Sequence, residues 1–167
     1  MKLKLAGFSA LLCVLIAFAP AIHADQTHDI FDTAFTAHKF KVLIAAIRAA
    51  DLANALKGPG PYTVFAPDDA AFKKLEKAKP GTIAMLLKPE NKAKLTAILT
   101  YHALKGRVMS ADLLKLKNGS ALKTLNGASV TIENKGGIKI NNAKVIKADI
   151  IASNGVIHEI DTVLVPK

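Results

Sequence analysis

Hydrophobic residues recur at helical spacing through the segment 29–56. Phe40, Leu43, Ile44 and Ile47 lie three or four positions apart, which places them on one face of a helix. A glycine- and proline-rich run follows and is typical of a helix end. The first part of the chain is therefore predicted to be helical.

A short strand interrupts the helical pattern at 62–66, where β-branched and aromatic residues are consecutive. Pro67 ends this strand, and Asp68 or Asp69 is expected to cap the helix that comes next. Phe72 should face the interior from that helix. Two further helical stretches and a third that begins at a capping serine follow in the sequence. They are predicted near 82–88, at 90–99 and after Ser110.

Alternation of apolar and polar residues replaces helical spacing in the second half. Val130 and Ile132 fall on one side of a predicted strand, and their neighbours fall on the other. Asparagine-containing turns are expected at 141–142 and 154–155. Helices first and mostly antiparallel strands later predict an α+β fold.

The first residues have the pattern of a secretory signal peptide. A basic start precedes an apolar run at 5–18, and the small residues Ala21 and Ala24 follow. We expect residues 1–24 to be removed and 25–167 to form a single domain that is exported to the periplasm, the cell surface or the extracellular space. The apolar run is short for a membrane span, so the mature chain is not expected to be an integral membrane protein.

The cysteine content and the net charge limit the kinds of site and partner that are expected for the mature chain. Cys13 is the only cysteine and lies in the predicted signal peptide, so disulfides and thiolate metal sites are not expected. Residues 25–167 contain 21 basic and 13 acidic residues, a net charge of +8. This excess favours anionic polysaccharide or lipid as a partner, and it is equally compatible with a role in solubility alone. Nucleic acid is not expected, because an exported protein rarely meets it.

Three lysines form the best local cluster of positive charge. Lys73 and Lys77 are four positions apart and share a helix face, with Lys74 beside them. Phe72 should turn the opposite side of this helix toward the core. These lysines are therefore candidate binding residues.

The ending "NGVIHEIDTVLVP" contains a histidine and two carboxylates close together. On a strand, His158 lies on the face opposite Glu159 and Asp161, so this stretch does not form a metal cluster by itself. A buried, hydrogen-bonded histidine is the interpretation that the apolar neighbours favour. No nucleophile, phosphate-loop or zinc motif is present. We expect no catalytic residue, no metal and no cofactor.

Three sequence stretches together resemble the fasciclin domain family. They are "TVFAPDDAAF" at 63–72, "YH" at 101–102 and "NGVIHEIDTVLVP" at 154–166. The resemblance implies a wedge-like β-sandwich of about seven strands with packed helices. It also implies that the matching motif residues are framework positions. These are Phe65, Pro67, Asp69, Phe72, Tyr101, His102, Asn154, Gly155, His158, Asp161 and Pro166.

Two positions depart from the family pattern. Ala70 stands where an acidic residue is common, and Glu159 stands where an apolar residue is common. The charge of Glu159 leads us to expect that the face it shares with Ile157 and Asp161 is partly wet.

The family resemblance implies a role in cell adhesion or in binding matrix and surface proteins, without catalysis. In some animal relatives a segment before the last motif contributes to integrin binding, and Asp149 and Ile150 match part of it. These two residues are candidate contacts, and the alternative is that Asp149 only ends a strand. The alternative function is a binder of a small ligand or an anionic envelope polysaccharide. A pocket with converging polar groups would distinguish it.

Overall fold

The structure is a computed structural model that describes residues 28–166. The predicted signal peptide, residues 1–24, lies outside the described residues. The helices are α1 (Ile30–Thr36), α2 (Lys41–Ala49), α3 (Ala53–Lys57), α4 (Asp69–Ala78), α5 (Thr82–Leu86), α6 (Lys92–Tyr101) and α7 (Ser110–Lys115), with a 3₁₀ turn at Pro89–Asn91. The strands are β1 (Tyr62–Pro67), β2 (Ala103–Lys105), β3 (Ser120–Lys123), β4 (Ser129–Glu133), β5 (Lys139–Ile140), β6 (Ala143–Ala152) and β7 (Gly155–Ile160).

The seven strands follow one hydrogen-bonded order, β2-β1-β7-β6-β5-β4-β3. Neighbouring strands are antiparallel except β1 and β7, which are parallel, with Tyr62 opposite Gly155 and Pro67 opposite Ile160. The long strand β6 pairs with β5 near its start and with β7 over the rest of its length. The predicted α+β fold of about seven strands, helical first and strand-rich later, is confirmed.

Two hydrophobic clusters pack against opposite faces of the central strands. Val64 of β1 and Ile157 of β7 belong to the cluster that also includes the buried faces of α1 and α2. Phe65 and Ile160, from the same two strands, belong to a second cluster with Leu113 of α7 and the apolar residues of β4 and β5. Strands β1 and β7 are therefore buried on both faces, as is usual for parallel pairs.

The segment 29–56 is helical as predicted, but it is divided into three short helices. His38 and Asp51 interrupt it, with left-handed φ values of 55° and 62°. Histidine and aspartate enter this region more readily than most residues. The apolar spacing of Leu43, Ile44 and Ile47 is real, but it belongs to α2 alone.

Side chains from outside each helix satisfy several helix ends. Asp68 is the N-cap of α4, and its Oδ1 accepts from the Ala71 N–H at 2.6 Å. Asp69 instead reaches α2, where its Oδ1 accepts from the Val42 N–H at 3.0 Å. Both aspartates of the motif therefore stabilise helix N-termini, and they serve two different helices.

Ser110 was expected to be an N-cap, and this expectation is wrong. Ser110 is the first residue of α7, and its N–H donates to Asp149 Oδ1 at 2.7 Å. Its hydroxyl donates to the other oxygen of the same carboxylate. The cap is thus supplied from β6, which the local sequence around Ser110 does not reveal.

Asn154, in the turn between β6 and β7, connects the strands to the first helices. Its Oδ1 accepts from the Ile30 N–H at 2.9 Å, and its Nδ2 donates to the carbonyls of Leu56 and Gly58 at 2.7 and 2.9 Å. The start of α1 and the end of α3 are therefore held by one side chain.

We predict that Asn154→Ala lowers the free energy of unfolding by roughly 2–4 kcal/mol, because three partly buried backbone groups lose their partner. Chemical denaturation measures the change. Asn126→Ala is the matched control, since Asn126 makes one exposed bond to Ala97. Equal effects of the two substitutions would contradict the role given to Asn154.

Candidate functional site

His102 follows the last residue of α6 and is buried, with 2% of its surface exposed. Its Nδ1 lies 2.8 Å from the Ile98 carbonyl, and its Nε2 accepts from the Leu164 N–H at 2.9 Å. Burial lowers the pKa of His102 to about 4, and the bond to Ile98 opposes this shift only in part. The ring is therefore neutral, with its proton on Nδ1.

His158 is fully buried on β7 and also uses both ring nitrogens. Its Nε2 lies 2.8 Å from the Val108 carbonyl, and its Nδ1 accepts from the Asp149 N–H at 3.3 Å. Burial lowers the pKa of His158, although the bond to Val108 and the charge of Asp149 oppose this shift. Since both nitrogens are engaged with backbone groups, neither is available for acid–base chemistry on a ligand.

Tyr101 and Asp161 make similar internal contacts. The Tyr101 hydroxyl donates to the Ser129 carbonyl and accepts from Asn141 Nδ2, both at 3.1 Å. Asp161 Oδ1 accepts from the Lys144 N–H at 2.9 Å, which fastens the end of β7 to β6. These bonds join elements that are distant in the sequence.

The remaining motif residues are also packed within the domain. Phe65, Pro67 and Phe72 are buried, and Pro166 is half-buried near the end of the chain. Gly155 lies so close to β1 that a Cβ atom there would be 2.1 Å from the Tyr62 carbonyl oxygen. Only glycine fits at this position without moving the strand.

The burial of Glu159 differs from what the sequence predicts. The face that Glu159 shares with Ile157 and Asp161 is predicted to be partly wet, yet Ile157 is 0% and Glu159 is 4% exposed, and Asp161, just beyond the end of β7, is half-buried. The reason is that α1 and α2, whose buried residues form one hydrophobic cluster with Ile157, cover this face. The carboxylate reaches the exposed Lys39 at 3.7 Å, which compensates its burial.

Two apolar cavities adjoin at Leu43, Leu99 and His102. Their volumes are about 100 and about 220 Å³, below the ~300–1,000 Å³ typical of ligand pockets. His102 is a polar side chain at both, and its ring nitrogens are already bonded. The polar groups that a small-molecule site needs do not converge on these cavities.

The candidate contacts Asp149 and Ile150 are half-buried in β6, next to irregularities in its pairing with β7. Asp149 has a left-handed φ of 57° and caps α7 through Ser110. Burial would raise the pKa of Asp149, but the bonds from Ser110 outweigh it and lower the pKa. Asp149 thus lies within a strand and its carboxylate is engaged internally. Ile150 packs against the first hydrophobic cluster.

The lysines of α4 are exposed, but they are not equivalent. Lys74 Nζ lies 3.1 Å from Asp161 Oδ2 and 3.0 Å from the Asp161 carbonyl oxygen. Lys73 and Lys77 have no such partner among residues 28–166. Lys74 therefore joins α4 to the end of β7, whereas its two neighbours remain available.

Within the part of the chain that the structure describes, no group of three or more histidine, cysteine, aspartate or glutamate side chains could hold a metal ion. No helix among these residues is long and apolar enough to cross a membrane.

The fasciclin domain model matches residues 38–166. The chain belongs to the fasciclin domain family. It is 44% identical over 142 residues to protein sll1483 of Synechocystis, an alignment that covers 85% of this chain and 76% of that protein. It is 35% identical over 124 residues to human periostin, covering 73% of this chain and 14% of periostin.

A solved structure of an insect fasciclin domain pair supports the fold. The pair comes from the cell adhesion molecule fasciclin I and superposes with a TM-score of 0.75 at 20% identity. The alignment covers 84% of this chain and 51% of the solved chain. At this identity the likeness concerns the fold alone.

Sequence reasoning missed two polar residues of this fasciclin domain. Thr63 is fully buried in β1, where its Oγ1 donates to the Gly106 carbonyl at 2.7 Å and accepts from the Val108 N–H at 2.9 Å. Asn134 Nδ2 donates to the Leu116 carbonyl at 2.7 Å, just after α7. A threonine in an apolar strand was the available signal for Thr63. Asn134 looked like an ordinary turn residue.

We predict that His158→Ala lowers the free energy of unfolding by roughly 2–4 kcal/mol, since it leaves a cavity and unpaired backbone groups at Val108 and Asp149. Thermal unfolding measures the loss. His38→Asn is the control, because His38 is exposed and asparagine tolerates its left-handed backbone. An unchanged melting temperature together with lost binding would show that His158 serves a ligand instead.

Proposed function

We propose that this fasciclin domain is an exported adhesion module without catalytic activity. Its partner is a matrix or cell-surface protein or an anionic polysaccharide, bound through exposed cations. The export proposal rests on the signal pattern at residues 1–24, with 25–167 as the mature domain. The adhesion proposal is supported by membership of the fasciclin domain family, to which the insect cell adhesion molecule fasciclin I also belongs.

The observation that carries this proposal is the excess of exposed cations without acidic partners. Among residues 28–166, six lysines lie within ion-pair distance of a carboxylate. The other lysines and both arginines in this range, Lys73 and Lys77 among them, have no such neighbour. Unneutralised charge on a surface attracts anionic partners and speeds their encounter.

The interior supports a non-catalytic role. Groups whose pKa is strongly perturbed in a cleft are candidates for catalysis. In this chain the two histidines with lowered pKa values, His102 and His158, bind backbone groups with both ring nitrogens. The apolar cavities offer no converging polar groups, so a small-ligand binder is the less supported alternative.

Salt dependence tests the proposal. The purified protein should bind immobilised anionic cell-envelope material at low salt and lose affinity steeply as salt rises, because exposed charges are screened over ~8 Å at physiological ionic strength. Binding is measured by surface plasmon resonance. Affinity that does not change with salt, or no binding to envelope and matrix material, contradicts the proposal.

The double substitution Lys73→Gln with Lys77→Gln is expected to lower affinity roughly thirtyfold, since each lysine near an anionic surface contributes about 1 kcal/mol. The melting temperature should change little, because both side chains are exposed. Lys88→Gln with Lys115→Gln is the matched control. It removes the same charge from lysines that already face Glu90 and Asp112. Equal losses in the two proteins would contradict a role for α4.

A further inference from the structure

A groove lies between the end of α1 and one side of α2, in the helical half of the molecule. Its volume is about 310 Å³, and its lining includes Phe35, His38, Lys41, Ala45 and Arg48. It is larger than either apolar cavity, and two basic side chains, Lys41 and Arg48, line it. We call this site the α1–α2 groove.

Arg48 is the most informative residue of the α1–α2 groove. Its guanidinium lies 5.5 Å from the ring centroid of Phe35 and 5.8 Å from that of Phe31. No carboxylate among residues 28–166 pairs with it, and no hydrogen bond from it is formed there. The aromatic rings orient the guanidinium but leave its N–H donors unused.

Lys41 extends the positive charge along the same helix face. Positions 41, 45 and 48 recur at helical spacing, and all three side chains are exposed. Lys41 and Arg48 are seven positions apart in the sequence, so their Cα atoms are about 10 Å apart along the axis of α2. Ala45 between them is small and leaves the floor of the groove open. A ligand with carboxylates repeated along a chain can engage both cations at once.

Phe35 adds a flat apolar surface beside these charges. Its side chain is 51% exposed, which is unusual for a phenylalanine. One exposed ring next to two cations suits the apolar face of a sugar ring whose carboxylate reaches Arg48. The groove offers no deep apolar channel for an acyl chain, since Ala45 and the buried Ile44 are its only aliphatic lining residues.

We propose that the α1–α2 groove binds a uronate-bearing polysaccharide, with Arg48 and Lys41 on successive carboxylates and Phe35 against a sugar ring. This proposal rests on the proposed function and names the ligand class and its site. The planar guanidinium binds a carboxylate with two parallel N–H donors, which fixes orientation as well as affinity.

Titration calorimetry with polygalacturonate tests the site, with neutral dextran as the control polymer. Arg48→Gln should raise the Kd about tenfold or more, since it removes a charge-assisted hydrogen-bonding group. Arg48→Lys should fall between wild type and Arg48→Gln, because it keeps the charge but loses the paired donors. Phe35→Ala should also weaken binding. Lys135→Gln, an exposed lysine in the turn between β4 and β5, makes the same charge change in the strand-rich half and should leave the Kd nearly unchanged.

Several outcomes would overturn the site. They are a Kd that Arg48→Gln and Lys135→Gln change equally, equal binding of dextran, or no binding of polygalacturonate. If Arg48→Gln instead weakens binding to anionic phospholipid vesicles or to an acidic peptide and leaves polygalacturonate unaffected, the ligand class is wrong. If the wild-type protein binds envelope material in a salt-sensitive way but does not bind polygalacturonate, only this inference is overturned. If the wild-type protein binds neither envelope material nor polygalacturonate, the proposed function is overturned as well. Melting temperatures of all variants establish that each is folded.

Discussion

The parallel pairing of β1 with β7 is the constraint on which the rest of the structure depends. It places two strands that are far apart in the sequence side by side within the sheet, flanked by β2 and β6, with a hydrophobic cluster on each face. Helices of five to ten residues, such as α3 and α6, are too short to be stable alone. Asp69 and Asn154, next to the ends of these strands, bind backbone N–H and carbonyl groups at helix ends that have no partner within their own helix.

Local patterns predicted much of this arrangement, and long-range contacts account for the rest. The strand at 62–66 and the buried Val130 and Ile132 follow from composition and alternation. The alternation of apolar and polar residues predicted a partly wet face at Glu159, but each face of β7 is covered by one of the two hydrophobic clusters. The cap of α7 could not be predicted, since Asp149 is 39 residues from Ser110. Among the candidate binding lysines, the sequence could not separate Lys74 from its neighbours, because its partner lies near the far end of the chain.

The polar groups of this fasciclin domain divide into two sets. In the interior, histidine, tyrosine, asparagine and aspartate side chains form hydrogen bonds with backbone groups. Such bonds are needed because a buried polar group without a partner destabilises the fold. Outside, both arginines and many lysines of residues 28–166 have no carboxylate within ion-pair distance in that part of the chain, and Arg48 is oriented by aromatic rings. The family motifs therefore describe how the domain holds together, and we infer that partner recognition depends on surface residues outside them, such as Arg48 and Lys41.

We infer that the two motif histidines, His102 and His158, are neutral framework groups. Nitrogen-15 NMR of the imidazole rings tests it most directly, because the two rings must be opposite tautomers. The hydrogen bonds predict a proton on Nδ1 of His102 and on Nε2 of His158, and the lowered pKa of His158 predicts that its ring takes up a second proton only below the ordinary histidine pKa. His102 should take up a second proton only near its pKa of about 4. Rings that share one tautomer, or that titrate near the ordinary histidine pKa of about 6.5, would contradict it.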